Sequence, residues 1–216
     1  MANILLSRLL LTPRAFIIIT KVTSRRSKFG EKMMTNNLPL PAASVLPNSN
    51  ISAPYVFVGD EAFPLLPNLL RPYPGDKLTL TQRVFNYRLS RARRIIENSF
   101  GILIARWRLL LNTIYLTDEN AKWAILCCVC LHNWIRSKQQ LRTMYLPPGF
   151  VDNEDPVSHV VLPGSWRRIT NRHNERVSHQ GSNNPPNRAK VVRDMYARFF
   201  SNEGCVSWQN ERVDDY

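Results

Sequence analysis

The chain has 216 residues, 44% of them hydrophobic and 21% charged, enough to build one domain with a real core and too apolar for a wholly disordered chain. Its 29 Lys and Arg against 16 Asp and Glu leave a net charge of +13, which favours polyanionic partners over cationic ones. The N-terminal apolar runs Ile4–Leu11 and Ala15–Ile19 are split by Pro13-Arg14 and fall short of the ~20 residues of a membrane span, so no membrane partner is expected.

Residues 1–30 carry six Lys or Arg (Arg8, Arg14, Lys21, Arg25, Arg26, Lys28) and no acid. That composition fits a mitochondrial transit peptide, and the alternative is a divergent or misjoined segment. Within it, the run Phe16 to Val22 has the β-branched character of a strand. Leu38–Pro54 is rich in Pro, Ser and Asn and reads as a loop. Tyr55-Val56-Phe57-Val58 is short, β-branched and aromatic, and Gly59-Asp60 stops it, placing the Asp60 carboxylate at the strand's C-terminal edge. Ligand sites in open α/β sheets favour that edge. Taken alone, Gly-Asp after a strand reads as a solvated turn. Pro64–Gly75 holds four prolines and cannot be a long regular element.

A helix is predicted over about Thr81–Ile104. Phe85, Leu89, Ala92, Ile96, Phe100 and Leu103 recur at steps of three and four and make one apolar stripe. Glu97 falls at the stripe's edge in phase with Asn86, Ser90 and Arg93, where a carboxylate can look into a cleft. Its bland alternative is a helical ion pair with Arg93 or Arg94. Residues 77–110 carry eight Lys or Arg against Glu97 alone. Arg83, Arg88, Arg91, Arg93, Arg94, Arg106 and Arg108 are therefore candidates for contact with a nucleic-acid backbone, because guanidinium forks match phosphate oxygens.

A second helix is predicted over about Asp118–Ser137, with Thr117 as N-cap and Asn120 three residues on. Cys127-x-x-Cys130 inside it, with His132 and Cys205, raises a zinc site, which is set aside because no second ligand pair follows at zinc spacing. The thiols read instead as small buried packing groups in a continuous apolar helix, suited to a reducing compartment. His132-Asn133 reads as a satisfied polar pair near a helix end. Thr143–Pro186 mixes Pro, Gly, Asn and His without periodicity and is expected to be exposed and mobile, ahead of a third helix over Arg188–Asn202.

Several strings recur together in an order that resembles the Harbinger-type DDE transposases and the nucleases domesticated from them. They are Asn36-Asn37-Leu38-Pro39-Leu40-Pro41, the run from Pro54 through Gly59-Asp60-Glu61-Ala62-Phe63-Pro64-Leu65, Arg71-Pro72-Tyr73-Pro74-Gly75, and the run from Phe85 to Arg93. Glu97-Asn98-Ser99-Phe100-Gly101, Arg106-Trp107-Arg108 and Leu131-His132-Asn133 follow. The tail, Arg193-Asp194-Met195 through Tyr196, Phe199-Phe200, Gly204, Trp208 and Gln209, is similar to the family's ending.

The resemblance implies an α/β, RNase H-like catalytic core, here partial with early strands missing, followed by C-terminal helices. It implies three carboxylates that bind divalent Mg²⁺ or Mn²⁺ and drive attack on a DNA phosphodiester, with Asp60 as the second and Glu97 as the third. The first is expected upstream of Asn36, where Glu31 is the earliest acid and falls in the family's helix, Ser27 to Asn36, so it is not counted. Glu61 adjoins Asp60 but is expected to face the other way, since successive side chains near a strand end alternate. The expected organisation is residues 1–26 as a divergent basic segment, 27–142 as a partial endonuclease domain, 143–187 as a flexible loop or linker, and 188–216 as a C-terminal helix and tail. The function expected is that of a transposase-derived, divalent-metal-binding nuclease-like protein acting on DNA and impaired by the absent first ligand. The alternatives are a non-catalytic DNA- or protein-binding remnant and a fragment with no independent activity. DNA is the expected partner, with a Myb-like or other DNA-binding protein beside it, in the nucleus; the mitochondrion and the cytoplasm are the alternatives.

Overall fold

Alternation along three residues, Val56-Phe57-Val58, organises the sheet at the heart of this protein. The computed structural model describes residues 16–18, 28–170 and 184–213. In chain order its elements begin with β1 (Phe16–Ile18), α1 (Lys28–Met34), β2 (Ser44–Val45), β3 (Ser52–Ala53), β4 (Val56–Val58), β5 (Leu69–Leu70) and the 27-residue α2 (Leu80–Arg106). A 3₁₀ turn (Arg108–Leu111), α3 (Asp118–Ser137), α4 (Gln139–Tyr145), β6 (Asn153–Glu154), β7 (Val161–Leu162) and α5 (Trp166–Thr170) follow. The chain closes with α6 (Asn187–Ser201) and α7 (Gln209–Val213). The protein is mixed α/β and divides into two units, Met1–Ile96 with Val177–Tyr216, and Glu97–Arg176; the boundary falls inside α2.

In the first unit β1, β4 and β5 form a parallel sheet in that order, with Phe16 opposite Val56, Ile18 opposite Val58, and Val58 opposite Leu70. The expected strand in Phe16 to Val22 is thus present as Phe16–Ile18; its remaining residues lie outside the described ones. Val56, Val58 and Leu70 join one core with Phe85 and Leu89 of α2 and Tyr196 and Phe200 of α6. Phe57 and Leu69 join a second with Met33, and Phe29 meets Phe57 edge-on at 5.5 Å. Both faces of the parallel sheet are covered, which is why its strands read as nearly unbroken apolar runs. Tyr196 donates its hydroxyl to the Pro54 carbonyl at 2.7 Å, holding α6 at the entry to β4.

The start of α2 is a capping box: Gln82 N–H donates to Thr79 Oγ1 at 3.4 Å and Thr79 N–H donates to Gln82 Oε1 at 3.0 Å. Of the predicted stripe, Phe85, Leu89, Ile96 and Leu103 are buried. Thr117 caps α3 as its sequence predicts, accepting from Asn120 N–H at 3.4 Å. No described helix is long and apolar enough to cross a membrane.

The second unit differs from expectation in two ways. The stretch from Thr143 carries the last residues of α4, then β6, β7 and α5, and it buries Phe150 and Trp166 against Ile102. The stretch is therefore ordered around those two rings, while residues 147–149 and 160–163 are exposed as expected; residues 171–183 lie outside the described ones. In α3 only Cys128 of the three thiols is buried, whereas Cys127 and Cys130 are exposed, as is Cys205 in the tail. The helix is apolar on two sides, and one side is bare.

Candidate active site

Asp60 begins the turn that leaves β4. Gly59 N–H donates to Leu70 O at 2.8 Å, so pairing with β5 runs one residue past the strand. A Cβ at Gly59 would lie 2.9 Å from the Phe63 ring, so the tight turn needs glycine there. Asp60 Oδ1 accepts from Ala62 N–H at 3.0 Å and Asp60 O accepts from Phe63 N–H at 3.2 Å. Buried Arg71 ties down the turn by donating to Phe63 O at 3.1 Å. Burial, with Arg193 nearby, lowers the Arg71 pKa.

A cleft of about 640 Å³ opens beside this turn, lined by Asp60, Glu61, Tyr73, Arg83, Asn86, Ser90 and Arg93 among others. The helical phase that groups Asn86, Ser90 and Arg93 thus delivers them to one cleft with Asp60. Asn86 also sews the Arg71-Pro72-Tyr73 string to α2, accepting from Tyr73 N–H at 2.8 Å and donating to Tyr73 O at 3.0 Å. Tyr73 in turn donates to Asp194 Oδ1 at 2.5 Å and lies under the Arg193 guanidinium at 3.8 Å. Its burial and the Asp194 bond raise the phenol pKa. Glu61 lines the same cleft, against the expectation from strand alternation, because the chain has already entered the turn at that residue.

Glu97 is the first residue of the second unit. Its Oε2 lies 4.0 Å from Arg167 Nη2. Arg167 is itself forked onto Asp152, with Nε to Oδ1 at 2.9 Å and Nη2 to Oδ2 at 2.5 Å, and the Asp152 side chain is fully buried. The bond to Asp152 raises the Arg167 pKa. Asn98 Oδ1 accepts from Trp166 Nε1–H at 2.8 Å and from Asp152 N–H at 3.1 Å. Gly101 has room for nothing larger, since a Cβ would sit 2.2 Å from the Trp166 ring. The string Glu97 to Gly101 is therefore the seat on which Asp152, Trp166 and Arg167 rest. The sequence reading missed these three because they lie in a stretch without periodicity; the glycine at 101, inside a helix, was the available sign of a close approach.

The arginines separate into kinds. Arg83 and Arg93 line the Asp60 cleft. Arg88 donates to Gly204 O and to Gln209 Oε1, both at 3.1 Å, and stacks on Phe200 at 4.9 Å; burial lowers its pKa. Arg91 sits over Trp208 at 5.4 Å and Tyr87 at 5.9 Å. Arg106 packs 4.0 Å from the Phe150 ring centre and 5.5 Å from that of Tyr145. Arg94 is half-buried and Arg108 is exposed. Arg88 and Arg106, expected to face phosphate, hold the protein's own rings and carbonyls.

His132 Nδ1 lies 2.8 Å from Tyr145 Oη, which accepts from Trp107 Nε1–H at 2.9 Å. An indole N–H can only donate, so the Tyr145 hydroxyl joins Trp107 to the His132 ring. Burial, with Arg136 nearby, pushes the His132 pKa down to about 4. Among the described residues no group of three or more His, Cys, Asp or Glu is placed to hold a metal ion.

The family model described as DDE superfamily endonuclease matches residues 9–133. The chain belongs to this family. The match begins inside the segment 1–26 that the sequence reading set apart, and between residue 9 and Asp60 the chain's one acid is Glu31. A curated relative, "Protein ALP1-like" of Arabidopsis thaliana, is 41% identical over 80 residues, which are 36% of this chain and 20% of the relative. The chain thus matches about a fifth of that protein's length. No solved structure matches this one. Members of the DDE superfamily typically use divalent metal ions. Within the first unit Asp60 and Glu61 line one cleft and fit a single ion, since Mg²⁺ keeps several waters and takes one or two protein carboxylates; a pair of ions needs further carboxylates shared between them.

Proposed function

We propose that this member of the DDE superfamily endonucleases is a transposase-derived, nuclease-like protein of Harbinger type and RNase H-like fold that holds DNA backbone without cleaving it efficiently. The observation that carries this reading is the cleft beside Asp60: a carboxylate just past the C-terminal end of a parallel strand shares it with Arg83 and Arg93. The parallel order β1, β4, β5 supports the RNase H-like assignment. By the family resemblance Asp60 and Glu97 correspond to the second and third carboxylates of the acidic set, with Asp60, in the cleft, as the ligand for Mg²⁺ or Mn²⁺. Arg83, Arg93, Arg91, Arg94 and Arg108 face phosphate, while Arg88 and Arg106 support the fold. The nucleus is the compartment this reading implies, with a Myb-like or other DNA-binding protein as partner.

Binding is favoured over cleavage by the position of Glu31. It lies exposed in α1, and no other acid stands between residue 9 and Asp60 to serve as the first carboxylate. Losing a ligand shared by two ions removes both nucleophile activation and leaving-group stabilisation. Each 1.36 kcal/mol of barrier is about tenfold in rate. Supercoiled plasmid incubated with the protein and Mg²⁺ or Mn²⁺ is expected to stay supercoiled. Nicking that disappears in Glu97→Gln would mean the acidic set is complete and the reading of impairment wrong.

A further inference from the structure

We propose that a second groove on the first unit is a docking site for an acidic, tryptophan-bearing peptide of a partner protein. The groove measures about 580 Å³ and is lined by residues of the 36–41 string, by Pro54-Tyr55, by the Pro67-Asn68 turn and by the first half of α6. It shares no lining residue with the cleft at Asp60. Leu38, Pro41, Tyr55, Val191 and Met195 make its walls apolar, and Asn68 and Arg188 are the polar groups that give it direction.

Asn68 is the group that points to a ligand. Pro67 and Asn68 form the middle of a tight turn that Leu66 and Leu69 close with reciprocal N–H to O bonds of 3.0 and 3.1 Å, and Asn68 O accepts from Phe57 N–H at 2.8 Å. Those bonds fix its backbone. The residue is 5% exposed, and its Oδ1 has no hydrogen-bond partner. Asparagine in a turn ordinarily bonds its own backbone or water, and a buried acceptor left open is unfavourable until a donor reaches it. An indole suits both the acceptor and the walls, being large, apolar and able only to donate.

The other end of the occupant is set by charge. Among the described residues that line the groove, Arg188 carries the one formal charge, exposed in the first turn of α6. That turn contains no acid, and its N-cap, Pro186, makes no side-chain capping bond. A carboxylate of the occupant meets there both a guanidinium and the positive end of a helix dipole. Duplex DNA suits the groove poorly, because phosphate binding needs rows of cations where these walls offer prolines. Most of the lining stays partly or fully exposed, which favours an extended chain over a small ligand that must be enclosed.

Fluorescence anisotropy of a labelled peptide with Asp-Glu-Trp-Glu-Asp at its centre is expected to show saturable binding to the full chain. Exchanging the tryptophan for phenylalanine keeps the charge and removes the N–H, and is expected to weaken binding about tenfold. Asn68→Ala is expected to abolish that preference without lowering the Tm, since the lost acceptor had no partner. Val191→Glu, at a position 65% exposed, is expected to block binding with the Tm unchanged. Arg188→Glu is expected to weaken the acidic peptide and to leave its Asn-Gln-Trp-Gln-Asn analogue unaffected. Equal binding of the tryptophan and phenylalanine peptides, or indifference to Val191→Glu, would overturn the proposal. So would N-acetyltryptophan binding as tightly as the peptide, or Val191→Glu weakening duplex DNA in place of the peptide.

Discussion

His132 shows how one buried side chain couples the second unit to pH. Its folded pKa of about 4 lies below the ordinary 6.5, so the unfolded chain takes up a proton that the folded one refuses. Stability is fully present above pH 6.5 and is lost as the pH falls through that value toward 4, by about 3 kcal/mol in all. Urea midpoints measured from pH 7.5 to 4 are expected to fall accordingly, and His132→Gln, which keeps an acceptor without titrating, to flatten the curve in that window. An unchanged slope in His132→Gln would place the titration elsewhere. The same residue marks a limit of sequence reading. His132 is a satisfied polar residue near a helix end, as its sequence suggests, but its partner, Tyr145, follows after a helix break that no spacing rule announces.

At the scale of elements, α2 carries most of the argument. Its extent was legible, Thr81–Ile104 against the observed Leu80–Arg106, because a long apolar stripe at helical spacing has no strand-like alternative. Its arginines were not separable by type. Arg88 and Arg93 look alike in sequence, yet the first is committed to Gln209 and Phe200 of the tail while the second lines the Asp60 cleft, because the tail's packing is a long-range contact. Gly101 tests the other half of the helix. Propensity alone says that Gly→Ala within a helix stabilises by about 1 kcal/mol. Here the new methyl would overlap the Trp166 ring, which Asn98 holds in place. Gly101→Ala is therefore expected to destabilise by about 1–3 kcal/mol. A rise in Tm on thermal unfolding would show that Trp166 does not rest there.

The whole molecule was legible where local signals and fold agree, as in the Tyr55–Val58 strand, the Thr117-capped helix and the last helix, expected over Arg188–Asn202 and found over Asn187–Ser201. It was illegible where structure depends on partners far along the chain. Phe150, Asp152 and Trp166 sit in a stretch of Pro, Gly and Asn, and only their contacts with Asn98, Gly101 and Arg167 order them. Asp60 was legible as a strand-end carboxylate, and the structure adds that Arg83 and Arg93 share its cleft. This cleft is expected to bind DNA phosphates. That binding is tested most directly by fluorescence anisotropy of a labelled duplex, with log K followed against log salt for the parent chain and for Arg83→Ala/Arg93→Ala. Each lost phosphate contact is expected to reduce the slope by about 0.9. A slope that falls by nearly twice that supports the cleft as the contact surface; a slope equal to the parent's would contradict it.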